Sequence, residues 1–529
     1  MPDLTAAADA IAIAKTAVET TARHLAANGG VDANQAVAYD LAHATAAVEA
    51  ARAMLDYGQL GDVEAKLTCA FVADALFDVA TRILGREKAW GLDHGALAGA
   101  AGFVETYRDP AFLAPLAGEA GPRHLDDDFE LVRDTFKRFA EEQILPHAEH
   151  VHRTNADVPD SIIEAMSEIG GFGISIPEEY GGAATGGEEE YIGVVVATEE
   201  LSRASLCIGG SLFTRPEIMA RALLAGGTEQ QKQEWLPKLA SGELLTAVAV
   251  TEPDFGSDVA GIRTTATKVD GGWVINGVKT WCTMGARAHA LMLLARTDPD
   301  TSKAHKGISM FLVNKPIGDG EGFAFTQEGN PVGTGKMEGR PIDTVGYRGL
   351  HSYEIAIDNW FVEDQYLIGG EAGLGRGFYL QMAGFENGRL QTAARAVGVM
   401  QAAYEAARQY ALDRVVFGHP IAEYQLTQVK LARMAATIQA MRQFAYAVAR
   451  LMGKGEGSLE ASMLKAYVCR AGEWVTRDAM QIHGGMGYAE EFPVSRYWLD
   501  ARVLSIFEGA DETLCLKVVA PRLLKQAAG

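Results

Sequence analysis

The spacing of apolar residues predicts that the first part of the chain is helical. In "DFELVRDTFKRFAEEQILP", Phe129, Val132, Phe136 and Phe139 recur at three- and four-residue steps and share one helical face, which stops at Pro146. Ala-rich segments before it, such as "NQAVAYDLAHATAAVEAARAML", have the same period. The helical period is interrupted after about residue 245, returns near residue 375 and lasts to the end.

The interrupted middle part has the pattern of β-strands. The stretch "TTATKVDGGWVINGVKTW" contains short runs of Val, Ile, Thr and Trp around two turn signals, Asp270-Gly271-Gly272 and Asn276-Gly277. Similar runs follow in "HALMLLART", "GISMFLVNK" and "SYEIAIDNWFV". The pattern therefore predicts a β domain between two helical regions.

This order predicts an α+β multidomain protein, because a doubly wound sheet would alternate strands with helices. A chain of 529 residues is also too long for a single core. The predicted divisions are an N-terminal helical extension at 1–120, a helical domain at 121–245, a β domain at 246–365 and a C-terminal helical bundle at 366–529. The stretch "DPAFLAPLAGEAGPRHLDDD" is predicted to be a linker.

The N-terminal extension contains a segment that resembles part of the C-terminal bundle. Residues 35–52 align with residues 425–442, and further on Lys66 parallels Lys465. The matching pairs are Gln35/Gln425, Leu41/Leu431, Ala42/Ala432, Ala46/Ala436, Ala50/Ala440 and Arg52/Arg442. Ala-rich helices can match through composition alone; the other interpretation is a partial duplication of the bundle.

Charge and cysteine usage exclude several classes of protein. The net charge of −22 argues against nucleic acid and anionic membranes as partners. Five cysteines without a C-x-x-C motif indicate neither a disulfide framework nor a zinc site, so no metal is predicted. The N-terminus lacks the basic start of a signal peptide, and no apolar run is long enough to span a membrane. These features predict a soluble, cytoplasmic protein.

Three stretches are candidates for binding a flat, polar ligand. "AVAVTEPDFGSDVAG" is an apolar strand that opens into a loop with hydroxyls and backbone N–H groups. In "KTWCTMG", Trp281 and Thr283 share one strand face, either as an ordinary structural pair or as a ring and hydroxyl beside a ligand. "QIHGGMGY" ends a helix in glycines, as a plain cap or as a close backbone approach. "GLGRGF" lacks the dinucleotide-binding spacing, so a Rossmann site is rejected.

A fourth stretch, "RVLSIFEGADETL", places one carboxylate beside apolar residues. Glu508 follows Phe507 and precedes Gly509. A buried carboxylate without a partner is costly. Glu508 is therefore either a cap or salt-bridge partner at a surface turn, or a base that is kept in an apolar pocket.

In their order along the chain, these stretches resemble the acyl-CoA dehydrogenase family over residues 124–529. The motifs are "VTEPxxGSD", "WxT", "DRxxFG" (413–418), "QIxGGxGY" and "FEG". The resemblance implies a helical domain, a central β-barrel-like domain and a C-terminal four-helix bundle around FAD, here with an extra N-terminal helical domain. It also implies that the α-proton and β-hydride of an acyl-CoA thioester are removed.

Residue by residue, the resemblance implies a flavin site in which Trp281 covers one ring face and the Thr283 hydroxyl bonds to N5. Arg414, Phe417 and Gln425 would hold the pyrophosphate and adenosine end of the FAD of a neighbouring subunit. The implied cofactor-binding residues are Val250, Thr251, Ser257, Trp281, Thr283, Arg414, Phe417, Gln425, Gln481, Gly484, Gly485, Ala510 and Glu512. After "FEG", many relatives have Thr-Ser where this chain has Ala510-Asp511. The chain therefore departs from the family pattern at these cofactor contacts.

The resemblance implies that Glu508 is the catalytic base, since Gly388 occupies the helix position from which some relatives supply theirs. The implied substrate contacts are Ser257, Arg215, Glu386, Asn387, Arg389 and Gly509. Arg215 lies among apolar residues of the acyl-pocket helix and could bind a second substrate carboxylate. Alternatively, Arg215 faces solvent or pairs with Glu217.

The Ala-rich extension and the overall length resemble members that oxidise methylsuccinyl-CoA to mesaconyl-CoA in the ethylmalonyl-CoA pathway. Another short- or branched-chain acyl-CoA dehydrogenase, an acyl-CoA oxidase and a non-catalytic assembly protein are the alternatives. The implied partners are an acyl-CoA substrate, an electron-transfer flavoprotein and further copies of the chain. A dimer is favoured over the tetramer that is usual in the family, because a duplicated bundle could occupy the second association surface.

Overall fold

The computed structural model describes residues 1–528 and divides them into two compact units. The helical unit comprises residues 1–137, 187–204 and 389–529, and the sheet unit comprises residues 138–186 and 205–388. Within the described residues, no helix has both the length and the apolar character needed to cross a membrane.

The α-helices, in chain order, are α1 Leu4–Ala27, α2 Gly30–Ala33, α3 Gln35–Gly58, α4 Asp62–Ile83, α5 Glu87–Trp90, α6 Ala101–Arg108, α7 Pro110–Leu113, α8 Asp127–Phe139, α9 Leu145–Thr154, α10 Asp160–Glu168, α11 Gly187–Ala204, α12 Arg215–Gly226, α13 Glu229–Ala240, α14 Gly377–Asp413, α15 Gln425–Gly453, α16 Ser458–His483, α17 Val494–Leu504, α18 Asp511–Thr513 and α19 Ala520–Ala528. Three π-helical segments are Ala140–Ile144, Leu206–Ser211 and Leu514–Val519.

The N-terminal extension is helical and packs on its own chain, as predicted. Its first helix begins after Asp3, whose carboxylate accepts a hydrogen bond from the N–H of Ala6 at 2.9 Å. Helices α3 and α4 pack against each other and against α15 and α16 of the C-terminal part. Buried alanines line the facing sides of α3 and α15, and small side chains allow helix axes to approach closely.

The two aligned segments occupy equivalent places in this packing. Each begins its helix, α3 at Gln35 and α15 at Gln425, and each helix is followed by a second helix that packs against it. Leu41 and Leu431 are both buried. Partial duplication and shared composition both stay open as interpretations of this likeness.

The predicted linker is more ordered than an open connection. Its first part forms α7, and its last part is held by hydrogen bonds to the carbonyl of Pro122 from Tyr57 at 3.0 Å and Gln439 at 2.8 Å. Arg123 then forms ion pairs with Glu199 at 3.1 Å and Glu200 at 2.7 Å. The local sequence pattern did not predict these contacts, because their partners are distant in the chain.

The sheet unit contains an eight-stranded sheet in the order β1-β4-β2-β3-β8-β7-β6, with β5 paired to β4. The strands are β1 Thr246–Ala249, β2 Thr265–Val269, β3 Gly272–Thr283, β4 Ala290–Arg296, β5 Ile308–Asn314, β6 Phe323–Asn330, β7 Gly333–Ile342 and β8 Ser352–Glu363. A small hairpin in the helical unit pairs β9 Val415–Val416 with β10 His419–Pro420. Strands between two helical regions confirm the α+β class.

Of the two predicted turns, only the first is a turn. Gly271, with φ = 76°, connects β2 to β3. Asn276-Gly277 instead lies inside β3, where the pairing with β8 shifts register. A side chain on Gly277 would come within 2.4 Å of the Thr264 hydroxyl, so glycine here permits a bulge against a neighbouring segment.

Candidate active site

Glu508 lies in the loop between α17 and α18 and has a left-handed backbone, with φ = 54°. A residue other than glycine in this region is strained, and such strain persists only where the surroundings enforce it. Here the buried ammonium of Lys465, on α16, donates to the carbonyls of Phe507 at 2.9 Å and Gly509 at 2.6 Å. Lys465 thus fixes the backbone on both sides of Glu508.

The carboxylate of Glu508 is largely buried and paired. Its side chain is 9% exposed, and Arg395, which is fully buried on α14, contacts one oxygen at 2.8 Å. The Thr392 hydroxyl donates to the other oxygen at 3.1 Å. The sequence suggested either an apolar pocket or a surface turn around Glu508. The structure shows neither, because the carboxylate is buried but has a charged and a polar partner. Both carboxylate oxygens are held in place from α14.

In the sheet unit, the loop after β1 is tied to the end of β3. The N–H of Thr280 donates to the carbonyl of Thr251 at 2.9 Å, and the ammonium of Lys279 donates to that of Val250 at 3.0 Å. Lys279 also forms a buried ion pair with Glu252 at 2.8 Å. Burial lowers the pKa of Lys279, although Glu252 acts in the opposite direction. These bonds bring the "VTEP" and "WCT" motifs together.

Trp281 and Thr283 lie at the end of β3 on either side of the buried Cys282, as side chains of the opposite strand face do. Trp281 has φ = 58° and is 56% exposed, which is unusual for a large aromatic side chain. The Thr283 hydroxyl lies 3.1 Å from that of Ser352. Nearby, Val250 is buried, Thr251 is half-buried and Ser257 is exposed.

The "DRxxFG" motif forms the hairpin of β9 and β10 in the helical unit. Phe417 and Gly418 form its two-residue turn, with φ of 53° and 90°. Two positive φ angles are typical of the type I′ hairpin turn. The Phe417 ring is 93% exposed at the tip, and Arg414 and Gln425 beside it are exposed as well.

The glycines at the end of α16 leave open space beside their backbone. Gly484 has φ = 59°, and a side-chain Cβ on Gly484 or Gly485 would meet no atom of this chain within 4 Å. His483 stacks on Tyr410 at 4.3 Å, which joins the end of α16 to the end of α14 near Arg414. The exposed Gln481 lies on the same turn.

Four of the predicted substrate contacts are buried or half-buried residues on helices, three in the sheet unit and one in the helical unit. In the sheet unit, Arg215 on α12 is 6% exposed and donates to the carbonyl of Ser211 at 3.1 Å, and Asn387 bonds to Glu217. In the helical unit, Arg389 donates to the Ser462 hydroxyl at 3.2 Å. Glu386 is half-buried.

The remaining predicted positions follow Glu508. Gly509 has φ = 97°, Ala510 is half-buried and Glu512 is exposed. Asp511 is buried and faces α3 of the N-terminal extension. The departure from Thr-Ser therefore places a carboxylate against the extension.

Several residues that shape these sites were not predicted from the sequence. Five of them are buried despite a charged or polar side chain, and Tyr39 is half-buried; they are Tyr39, His43, Lys279, Thr392, Arg395 and Lys465. The available signal was a charge inside an otherwise apolar run, as in "TAARAVGVM" and "SMLKAYVC". Buried charges that need several partners often mark sites under functional constraint.

Comparison with known proteins identifies the family. The chain matches the N-terminal domain of acyl-CoA dehydrogenases over residues 126–243, the middle domain over residues 247–360 and the C-terminal domain over residues 375–524. The chain belongs to the acyl-CoA dehydrogenase family. It is therefore a flavin-dependent oxidoreductase that acts on CH–CH bonds and uses FAD, which confirms the predicted fold, enzyme class and cofactor.

Individual relatives support this assignment. (2S)-Methylsuccinyl-CoA dehydrogenase of Cereibacter sphaeroides is 44% identical over 405 residues, which cover 76% of this chain and 71% of that protein. Mitochondrial isovaleryl-CoA dehydrogenase of Solanum tuberosum is 36% identical over 391 residues, 73% of this chain and 88% of that protein. The structure of butyryl-CoA dehydrogenase from Megasphaera elsdenii superposes with a TM-score of 0.68 at 29% identity, covering 76% and 99% of the two chains.

The acyl-CoA dehydrogenase chain offers surfaces that fit FAD. In the sheet unit, Trp281 presents an exposed ring on which a flat heterocycle can pack. In the helical unit, Gly484 and Gly485 leave open space beside the backbone and the Phe417 ring is exposed, so these predicted residues are accessible to a ligand.

Proposed function

We propose that the chain dehydrogenates methylsuccinyl-CoA to mesaconyl-CoA, with Glu508 as the base that takes the α-proton. FAD, when bound, supplies the acceptor of the β-hydride. The observation that carries the proposal is the loop geometry: a carboxylate held by Arg395 and Thr392 on a backbone fixed by Lys465. A general base must be positioned before its proton affinity matters.

The backbone of the same loop has a second proposed role. Loss of the α-proton places negative charge on the thioester oxygen, and a fixed N–H donor stabilises such charge better than mobile water does. The N–H of Glu508 is proposed as that donor, together with a ribityl hydroxyl of FAD. Because Lys465 holds Phe507 and Gly509, the N–H between them has little freedom to turn away.

The preference for methylsuccinyl-CoA rests on similarity and on Arg215. The relative from Cereibacter sphaeroides bears the name of this activity at 44% identity. A substrate with a second carboxylate needs a cation or several donors in its pocket. Arg215 is buried. Among residues 1–528, its side chain donates a hydrogen bond to the backbone carbonyl of Ser211 and forms no ion pair with a carboxylate. Glu217, the alternative partner, instead bonds to Asn387 and Arg221.

Arg215→Ala is expected to lower kcat/KM for methylsuccinyl-CoA about 10²-fold more than for butyryl-CoA, because a buried charge pair lost from one side costs roughly 3 kcal/mol or more. Steady-state kinetics with both thioesters measures the difference. Arg221→Ala is the matched control, since Arg221 lies on the same helix but contacts Glu217 at 3.5 Å. Equal losses on both substrates would show that Arg215 supports the fold and another group binds the carboxylate.

The other enzymatic interpretations differ in substrate or acceptor. A short- or branched-chain dehydrogenase would oxidise butyryl- or isovaleryl-CoA as well as methylsuccinyl-CoA, and a panel of CoA thioesters compares them. An oxidase would pass electrons directly to oxygen. Anaerobic bleaching of the flavin by substrate, followed by slow reoxidation in air and fast reoxidation by an electron-transfer flavoprotein, supports the dehydrogenase and its proposed partner.

The chain is expected to form a dimer in solution, for two reasons. The Phe417 hairpin tip is 93% exposed and is proposed to meet the FAD of a neighbouring subunit. Helices α3 and α4 cover α15 and α16, the bundle surface through which family members are expected to form tetramers. Light scattering should give the mass of two 56.5 kDa chains at all protein concentrations tested. A tetramer would contradict the blocking role of the extension.

A further inference from the structure

Asp511 links the Glu508 loop, residues 505–511, to the N-terminal extension. It lies three positions after Glu508 and is 7% exposed. The Tyr39 hydroxyl donates to its carboxylate at 2.5 Å, and His43 Nε2 lies 3.2 Å away. Tyr39 and His43 are one turn apart on α3, so both point at the same carboxylate.

The hydrogen-bonding pattern of His43 directs its Nε2 towards Asp511. Burial lowers the pKa of His43, and His43 Nδ1 has no hydrogen-bond partner among the described residues, which leaves the proton on Nε2 facing Asp511. Burial would raise the pKa of Asp511, but the interaction with His43, the hydrogen bond from Tyr39 and the charge of Arg470 hold it below its ordinary value. Arg470 donates to the Tyr39 hydroxyl at 3.2 Å and extends the network.

His43, Asp511 and Cys515 also lie close enough together to hold a metal ion. A thiol must be deprotonated to bind a metal. Burial raises the pKa of the Cys515 thiol, and Asp511 raises it further. The carboxylate already has two donors from α3. The cluster is therefore interpreted as a hydrogen-bond network.

The network completes the support of the Glu508 loop. Lys465 holds the carbonyls of residues 507 and 509, and the N–H of Asp511 closes the loop on the carbonyl of Ser505 at 3.1 Å. Without Tyr39 and His43, the Asp511 carboxylate would be buried without its donors, and the loop would have to move to hydrate it.

We propose that Tyr39 and His43 are positioning residues that hold Glu508 in its productive geometry through Asp511. The N-terminal extension thus contributes to proton abstraction without contacting the substrate. This inference rests on the proposed role of Glu508 as the base. A displacement of about 1 Å in a catalytic group can lower a rate by about 10²-fold, so small movements of the loop have measurable consequences.

The test is the rate of anaerobic flavin reduction by a saturating acyl-CoA, measured by stopped flow on FAD-loaded enzyme. His43→Leu and Tyr39→Phe are expected to slow reduction by about 10-fold to 10²-fold. The Kd for the acyl-CoA, taken from the substrate dependence of the reduction rate, and the rate of reoxidation by an artificial one-electron acceptor should change less than about twofold, because neither depends on proton abstraction. His43→Gln keeps an N–H donor and should recover most of the rate.

Tyr57→Phe is the matched control. It removes the same hydroxyl from the same helix, but Tyr57 bonds to Pro122 and Gln439 rather than to the loop. It should lower the melting temperature and leave flavin reduction unchanged. Reduction at the parent rate in His43→Leu, or an equal loss in Tyr57→Phe, would overturn the proposal. Glu508→Gln is measured in parallel: normal reduction in that variant would refute the base itself, whereas its loss together with normal His43→Leu refutes only the network.

Discussion

Replacing Glu508 by glutamine is expected to leave FAD bound and to lower turnover by at least ~10²–10⁴-fold, the usual contribution of a positioned base. The amide has nearly the same shape as the carboxylate, and its oxygen can still accept a hydrogen bond from Arg395, which now contacts Glu508 at 2.8 Å. It cannot take up the α-proton. Turnover with an acyl-CoA and an artificial acceptor, divided by the flavin content, measures the loss.

The buried position of Arg395 makes a stability control necessary. Removing the charge of Glu508 leaves a buried guanidinium with a weaker partner, so some loss of stability is expected alongside the loss of turnover. Glu405→Gln is the matched control, since Glu405 pairs with Arg203 at 2.9 Å on the outside of the same helix, α14. A Glu508→Gln enzyme that turned over at nearly the parent rate would exclude Glu508 as the base.

Periodicity predicted the elements of the fold where local pattern and burial coincide. The helix through Phe129, Val132 and Phe136 forms as α8, and the runs of Val, Ile and Trp form the sheet. The predicted stop at Pro146 was wrong, because α8 ends at Phe139 and Pro146 lies in the first turn of α9, where a missing N–H is tolerated. Periodicity failed at Asn276-Gly277, because the same dipeptide can make a hairpin turn or a bulge. Only the close approach of Thr264, from another segment, distinguishes the two.

Motifs predicted candidate site residues but not the side chains that surround them. The pattern "FEG" singled out Glu508, but its partners Arg395 and Lys465 come from helices more than 40 positions away. Their sequence neighbours are Ala, Val, Leu and Tyr, so each looks like an isolated charge on a buried helix. A single sequence contains no record of such long-range pairing.

The N-terminal extension shows the same limit. Its helices and its likeness to the C-terminal bundle were visible in the sequence, whereas its bond to Asp511 was not. Lys66 and Lys465 match in the alignment but differ in the structure: Lys66 pairs with Asp62 at the surface, while Lys465 is buried and holds the Glu508 loop. The likeness between the two segments therefore does not extend to this contact.

The buried pair of Lys279 and Glu252 is expected to contribute most to the stability of the proposed flavin loop. Lys279 is fully buried and Glu252 is 6% exposed. Lys279→Met removes the ammonium but leaves the carboxylate, which then accepts only from the N–H groups of Arg263 at 2.6 Å and Thr264 at 2.9 Å. An uncompensated buried charge costs about 3–5 kcal/mol in the free energy of unfolding.

Chemical denaturation of Lys279→Met, with flavin release followed by fluorescence, should show both a lower midpoint and weaker FAD retention, because Lys279 also holds the carbonyl of Val250. Lys268→Met is the matched control, since that lysine pairs with Asp364 at the surface of the same sheet and should change little. Adding Glu252→Gln to Lys279→Met removes the unpaired charge and should recover part of the stability. A double variant no more stable than Lys279→Met would show that the lysine acts through Val250 and not through the ion pair.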